Sequence, residues 1–252
     1  MIAGKTETWI GEPGKRSWKV LIVVLAGGLA GVASMMLMPL ERLLPEEIDL
    51  PRAVLLIQPA VLVTLFALAG WWAAPKAGLG APVIREAVSE GNWLAPLMSG
   101  IPQAILGGAL CSLILVAYAW YTADLTAAAA QGFEQPLLTK VLYGGIAEEV
   151  MMRWGLLSLM AVLALKIGLK HPAALATANL FAAVIFALGH FGALYGLVEN
   201  PPTSLVVAVF VGNLLPGLVF GWLYIRKGLE SAVMAHGLTH VFSTAVLALV
   251  AV

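Results

Sequence analysis

The sequence predicts an all-α polytopic membrane protein: a transmembrane helical bundle of about seven spans. Composition and pattern both point there. Hydrophobic residues make up 61% of the 252 residues and charged residues 11%, against roughly 45–50% and about 25% in soluble domains. Mean hydropathy is +0.94. The apolar residues fall in runs of about 20, the length a spanning helix needs, without the alternation of an outer-membrane barrel. A chain in lipid must satisfy its own backbone, so such runs are helices. Other classes are excluded. The 14 Lys and Arg balance 14 Asp and Glu, which leaves no basic excess for nucleic acid. A single cysteine excludes a disulfide framework and a Cys-based zinc module.

The spans are expected at about 18–40, 53–74, 99–121, 137–165, 173–196, 203–225 and 229–251. Residues 1–17 are polar and carry Lys5, Lys15 and Arg16; they read as a cytoplasmic tail. The run after them exceeds a cleaved signal's core of roughly 7–15 residues, so it is a retained helix. Loop 41–52 is acidic and proline-bounded, an outer connection. Nothing ionisable lies in the interior of span 1, nor in those of spans 2 and 3. Between spans 2 and 3, loop 75–98 is the longest inside connection, with a short interfacial helix expected around Ile84–Val88. Gly27, Gly28, Gly31, Gly107 and Gly108 suit close helix contacts. Pro216-Gly217, after Asn213, marks a kink in span 6.

Orientation follows from the loop cations. With the N-terminus inside, the inner segments hold Lys5, Lys15, Arg16, Lys19, Lys76, Arg85, Lys166, Lys170, Arg226 and Lys227. The outer ones hold Arg42, Arg52 and Lys140. The bias places the N-terminus in the cytoplasm and the chain in the cell (inner) membrane as a multi-pass protein. No internal repeat supports an inverted-repeat transporter.

Ionisable groups at membrane depth cost roughly 2.5–3.5 kcal/mol each on insertion scales, so each is a functional candidate. They cluster in the C-terminal half: Glu148, Glu149 and Arg153 in span 4, His190 in span 5, His236 and His240 in span 7. The fourth histidine, His171, falls in an inside loop. Glu149 and Arg153 have the i,i+4 spacing at which a carboxylate meets a guanidinium, so they form the structural ion pair. Glu148 points about 100° away and is free to face a cavity. His236 and His240 share one helix face, the spacing of helical metal sites, but Gly237 stands where a zincin has its glutamate.

This constellation suits amide hydrolysis. Glu148, helped by His190, would activate water as a general base, and His236 and His240 would stabilise the oxyanion. Alternatively His190, His236 and Glu148 would hold a divalent metal such as zinc that acidifies the water. The span boundaries set His190 and His236 about 15 Å apart in depth, which helix tilt or breaks must close. Asn179 and Asn213 are candidate supporting groups. Cys111, mid-span with no base nearby, reads as a small filler.

The motifs Glu148-Glu149-x-x-x-Arg153, Phe186-x-x-x-His190 and His236-x-x-x-His240, in this order, resemble those of the CPBP family. These are the CAAX-protease and bacteriocin-processing intramembrane proteases, also called Abi. The resemblance covers roughly 136–250. It implies a catalytic core of four spans over 136–252 behind a variable three-span region, 18–135. It further implies water activation by Glu148 and His190, and an oxyanion site at His236 and the residue four further on. The family usually has Asn at that last position. Here it is His240, which can also titrate or bind metal, and so leaves metal use open. Phe186 is expected to pack beside the site.

The expected partners are the lipid bilayer and a membrane-associated peptide or protein substrate. Two other readings compete: a non-catalytic scaffold or bacteriocin-immunity protein that retains the fold, and a proton-coupled transporter using the Glu/His cluster as a relay. Spans 1–3 offer few polar residues beyond Gln58 and Gln103 for such a path.

Overall fold

A computed structural model describes residues 16–43, 50–126 and 135–250. Its elements are α1 (Trp18–Leu37), α2 (Arg52–Ala77), α3 (Pro82–Val88), α4 (Leu94–Thr126), α5 (137–166), α6 (His171–Leu197), α7 (Thr203–Lys227) and α8 (Leu229–Val250). The described residues contain no strand. The all-α bundle is therefore borne out. Most of the expected tail and of the acidic outer loop lie outside the described residues.

Six helices (α1, α2, α4, α6, α7 and α8) are long and apolar enough to cross a membrane. The remaining expected span, α5, is one continuous helix but not a uniform α-helix. It opens with Leu137–Thr139, continues in π-helical winding through Lys140–Glu148 and Val150–Leu157, and closes with Ser158–Lys166. Lys140, Glu148, Glu149 and Arg153 along it lower its apolarity below that of the others. The interfacial helix expected near 84–88 is α3; it starts at Pro82, whose fixed φ and missing N–H suit a first turn.

The centre of the bundle is α5, packed against α1, α2, α6 and α8. Lipid tails are as apolar as leucine, so helices associate through close packing and hydrogen bonds rather than hydrophobic exclusion. Small residues permit it. A Cβ at Gly31 of α1 would stand 2.5 Å from the Leu142 carbonyl oxygen and 2.8 Å from Ala147 Cβ. One at Gly28 would meet Val63, and one at Gly108 of α4 would meet Leu238 and the Ala235 carbonyl of α8. Across α5 and α8, Gly145 faces the backbone of Gly237.

Neutral polar side chains add cross-ties. Thr139 Oγ1 donates to the Ser34 carbonyl at 2.9 Å, and Trp154 Nε1 to the Ala67 carbonyl at 2.9 Å. The first helices and the C-terminal half thus share one packed interior.

The glycine contacts predict a stability contrast. Gly31→Val places atoms against a helix backbone that cannot yield, and costs about 1–3 kcal/mol. Gly192→Ala, with open space around its Cβ, stays within about 0.5 kcal/mol of the native protein. Thermal unfolding in detergent reads the difference; equal midpoints would show that the Gly31 contact is slack.

Candidate active site

The site forms where α5, α6, α7 and α8 meet. Glu149 and Arg153 make the expected pair, Nη1 to Oε1 at 3.0 Å, with side chains 0% and 1% exposed. Arg153 Nη2 donates to the Gly217 carbonyl of α7 at 3.0 Å. That carbonyl follows Pro216, inside a helix that nonetheless continues through the proline. The guanidinium lies over the rings of Phe186 and Phe220, at 4.7 and 5.4 Å. Removing either partner would strand a charge in the dry interior.

Glu149 does more than pair. Its Oε1 also meets His236 Nδ1 at 2.8 Å. Glu149 is ion-paired, so its carboxylate accepts and Nδ1–H donates. In the neutral ring Nε2 therefore carries the lone pair. That ring is held from three sides: it stacks on Phe220 (centroids 4.4 Å, 17°), meets Phe186 edge-on (6.0 Å) and leans on His240 (5.1 Å). The second Glu149 oxygen, Oε2, is buried with no hydrogen-bond partner, an unrecovered cost.

Glu148 faces another way, as expected. Its Oε2 lies 3.9 Å from His236 Nε2, and its side chain is 18% exposed. That gap is beyond a hydrogen bond but spanned by one water bonded at roughly 2.8 Å to each group. Gly144, one turn before Glu148, leaves the space open. A Cβ there would stand 2.9 Å from His240 Nε2 and 3.4 Å from His236 Nε2.

His190 joins from α6. Its Nδ1 bonds the Phe186 carbonyl at 2.8 Å; a carbonyl only accepts, so Nδ1 carries the proton and Nε2 the lone pair. Its ring packs edge-on to Phe186 at 4.8 Å. Phe186 thus touches both His190 and His236 and closes the depth offset expected between them.

Asn213 is not drawn into this cluster. Its Nδ2 donates within α7 to the Val209 carbonyl at 2.8 Å, while Asn179 ties α6 to the Leu218 carbonyl of α7. Cys111 is buried, in keeping with a filler.

One comparison with known proteins identifies the segment that carries this site. The family model for type II CAAX prenyl endopeptidases, Rce1-like, matches residues 134–242. Residues 134–242 belong to the CPBP family of CAAX-type proteases. None of the curated proteins and none of the solved structures matches the chain.

All three motifs of the CPBP segment fall inside the match and converge in space. Three contributors had no signal in the sequence. Phe220 is one of several aromatics in an apolar run. The Glu149–His236 bond and the Gly217 carbonyl join residues far apart in the chain. Among the described residues, no group of three or more His, Cys, Asp or Glu side chains is placed to hold a metal ion. With Nδ1–H of His236 and of His190 each donated to an acceptor, their Nε2 lone pairs remain available, but no group of three donors converges to use them among the described residues.

The buried pair yields a prediction. Arg153→Met strands Glu149 and costs about 3–5 kcal/mol of stability; adding Glu149→Gln removes the stranded charge and restores a large part of the loss. Thermal unfolding of both variants checks this, and a double variant no more stable than Arg153→Met would contradict it.

Proposed function

We propose that the chain is a CAAX-type intramembrane endopeptidase that hydrolyses a peptide bond of a membrane-associated protein or peptide, without a metal. The observation that carries this reading is Glu148, partly exposed inside the bundle and 3.9 Å from His236 Nε2, within the segment matched by the CAAX endopeptidase family.

In this reading Glu148 holds the attacking water, and the His190 Nε2 lone pair helps orient it. As the water oxygen bonds to the scissile carbonyl carbon, its proton passes to the Glu148 carboxylate. The carbonyl oxygen becomes an oxyanion and takes a hydrogen bond from His240. His240 is the neutral donor because its side chain has no hydrogen-bond partner among the described residues and its Nε2 borders the Gly144 gap. His236 contributes as a donor only once its Nε2 is protonated, since its Nδ1–H is committed to Glu149. The Glu149 carboxylate stabilises that charged form. The intermediate collapses with cleavage of the C–N bond, and Glu148 returns its proton to the leaving amine.

Cleavage of a quenched fluorescent peptide library by the detergent-purified protein tests this. Glu148→Gln lowers the rate about 10²–10⁴-fold, the contribution of a positioned acid–base group, while the unfolding midpoint is retained and a strong chelator has no effect. Cleavage that survives Glu148→Gln would sink the reading and favour a scaffold that keeps the fold. Cleavage lost to the chelator and restored by added metal would return the histidines to the role of ligands.

His240 gives a separate prediction. His240→Asn keeps a neutral donor and stays within about tenfold of the native rate, whereas His240→Leu loses on the order of 10²–10³, as for other oxyanion donors. Equal rates for the two variants would remove His240 from the oxyanion site.

A further inference from the structure

Away from the Glu–His cluster, the helix ends enclose an open-mouthed cavity, about 710 Å³ with its mouth included. It lies between the start of α1, the end of α2, the turn into α3 and the end of α7. Four cations line it: Arg16, Arg85, Arg226 and Lys227. Among the described residues no acidic side chain lines it. The nearby Glu230 accepts from the Ile84 N–H and interacts electrostatically with Arg85, which leaves Arg16, Arg226 and Lys227 as the cations the site offers.

The backbone brings these cations together. Gly228, at φ +93°, makes the left-handed turn that L side chains resist, and so ends α7 with Arg226 and Lys227 at the cavity. A Cβ at Gly80 would stand 2.7 Å from Arg85 Nη2, so the missing side chain leaves room for the guanidinium. Arg16 lies over the Trp71 ring at 5.4 Å. Lys227 Nζ is held by Ser99 Oγ at 3.0 Å. The indole Nε1 of Trp71 is buried without a hydrogen-bond partner, a donor left over at the wall of a cationic cavity.

We propose that this cavity binds the phosphate of an anionic phospholipid head group. Topology alone asks only that Lys and Arg lie in the inner loops; it does not ask that Arg16, from one end of the chain, and Arg226 and Lys227, from the end of α7, converge on one concavity, where they repel one another. An anion relieves the repulsion, and arginine forks match phosphate oxygens bidentately. The cavity lies at the ends of spanning helices, on the side where the loop cations accumulate. That is the level of the anionic head groups of the cytoplasmic leaflet, which basic pockets between helices bind. The inference is independent of the peptidase reading.

Native mass spectrometry of the detergent-purified protein tests it, with dioleoylphosphatidylglycerol, dioleoylphosphatidylcholine and inorganic phosphate as separate probes. The expected result is retention of phosphatidylglycerol in preference to phosphatidylcholine. At about fivefold per cation near the surface, Arg16→Gln/Arg226→Gln weakens that binding on the order of thirtyfold. Arg16→Gln alone, at an exposed position, gives the smaller step should the double variant not fold. Lys170→Gln, a cation at the same end that does not line the cavity, binds as the native protein does. Trp71→Phe keeps the ring, loses the N–H and binds more weakly. Equal retention of the two lipids, or equal losses in Lys170→Gln and the arginine variants, would overturn the site. Binding of inorganic phosphate with no retention of phosphatidylglycerol would overturn the lipid assignment.

Discussion

Arg153 is the residue on which the rest of the bundle's interior depends. A guanidinium in the middle of a membrane protein is tolerated only if it is paired. Here Glu149 supplies the counter-charge, the Gly217 carbonyl takes one nitrogen, and the rings of Phe186 and Phe220 lie over its plane. Those partners come from α5, α6 and α7, and Glu149 passes the connection to α8 through His236. One charge therefore ties four helices at a single depth. The arrangement also sorts the adjacent carboxylates. Glu149 is turned inward and held, which leaves Glu148 on a different side of the same helix, toward the free edge of His236.

The π-helical winding of α5 on both sides of Glu149 belongs to this arrangement. Such winding closes i→i+5 bonds, is rare, and occurs often at functional sites. It contains the glycines through which α5 approaches its neighbours: Gly144 and Gly145 toward α8, Gly155 toward Phe66 of α2. Gly144 has a second consequence. The atoms nearest its missing Cβ include Nε2 of both His240 and His236, so the gap beside Glu148 opens where those ring nitrogens converge.

Much of this was legible in the sequence, for identifiable reasons. Helices announce themselves by apolar run length, because lipid permits no other unclosed backbone. The Glu149–Arg153 pair is local, so i,i+4 spacing was enough. The histidines stood out because ionisable groups in spans are few. What escaped was either non-local or a matter of backbone winding. Nothing in the run around Glu148 and Glu149 marks a π-helix. Depth arithmetic from ideal α-helices set His190 and His236 apart, and could not include a phenylalanine ring that touches both. Asn213 looked available because a span with an unexplained amide invites a role. A bond to the carbonyl one turn back within its own helix, which costs no long-range contact, took it instead.

The division of labour among polar groups bears on whether the cluster is chemistry or glue. Helices in lipid need interhelical hydrogen bonds, and away from Arg153 this bundle makes several of them with neutral groups. Thr139 reaches the Ser34 carbonyl, Trp154 the Ala67 carbonyl, Asn179 the Leu218 carbonyl, and Ser158 shares a 2.7 Å bond with Tyr224. The buried Glu149–Arg153 ion pair is closed around Arg153. Glu148 and His240 take part in none of these ties: among the described residues their side chains have no hydrogen-bond partner, and Glu148 stands 3.9 Å from the nearest ring nitrogen it faces. A carboxylate kept in a membrane interior without contributing to cohesion carries a cost that cohesion does not explain. Its placement beside a gap, opposite a histidine whose proton is fixed on the far side by Glu149, is what activating a water requires.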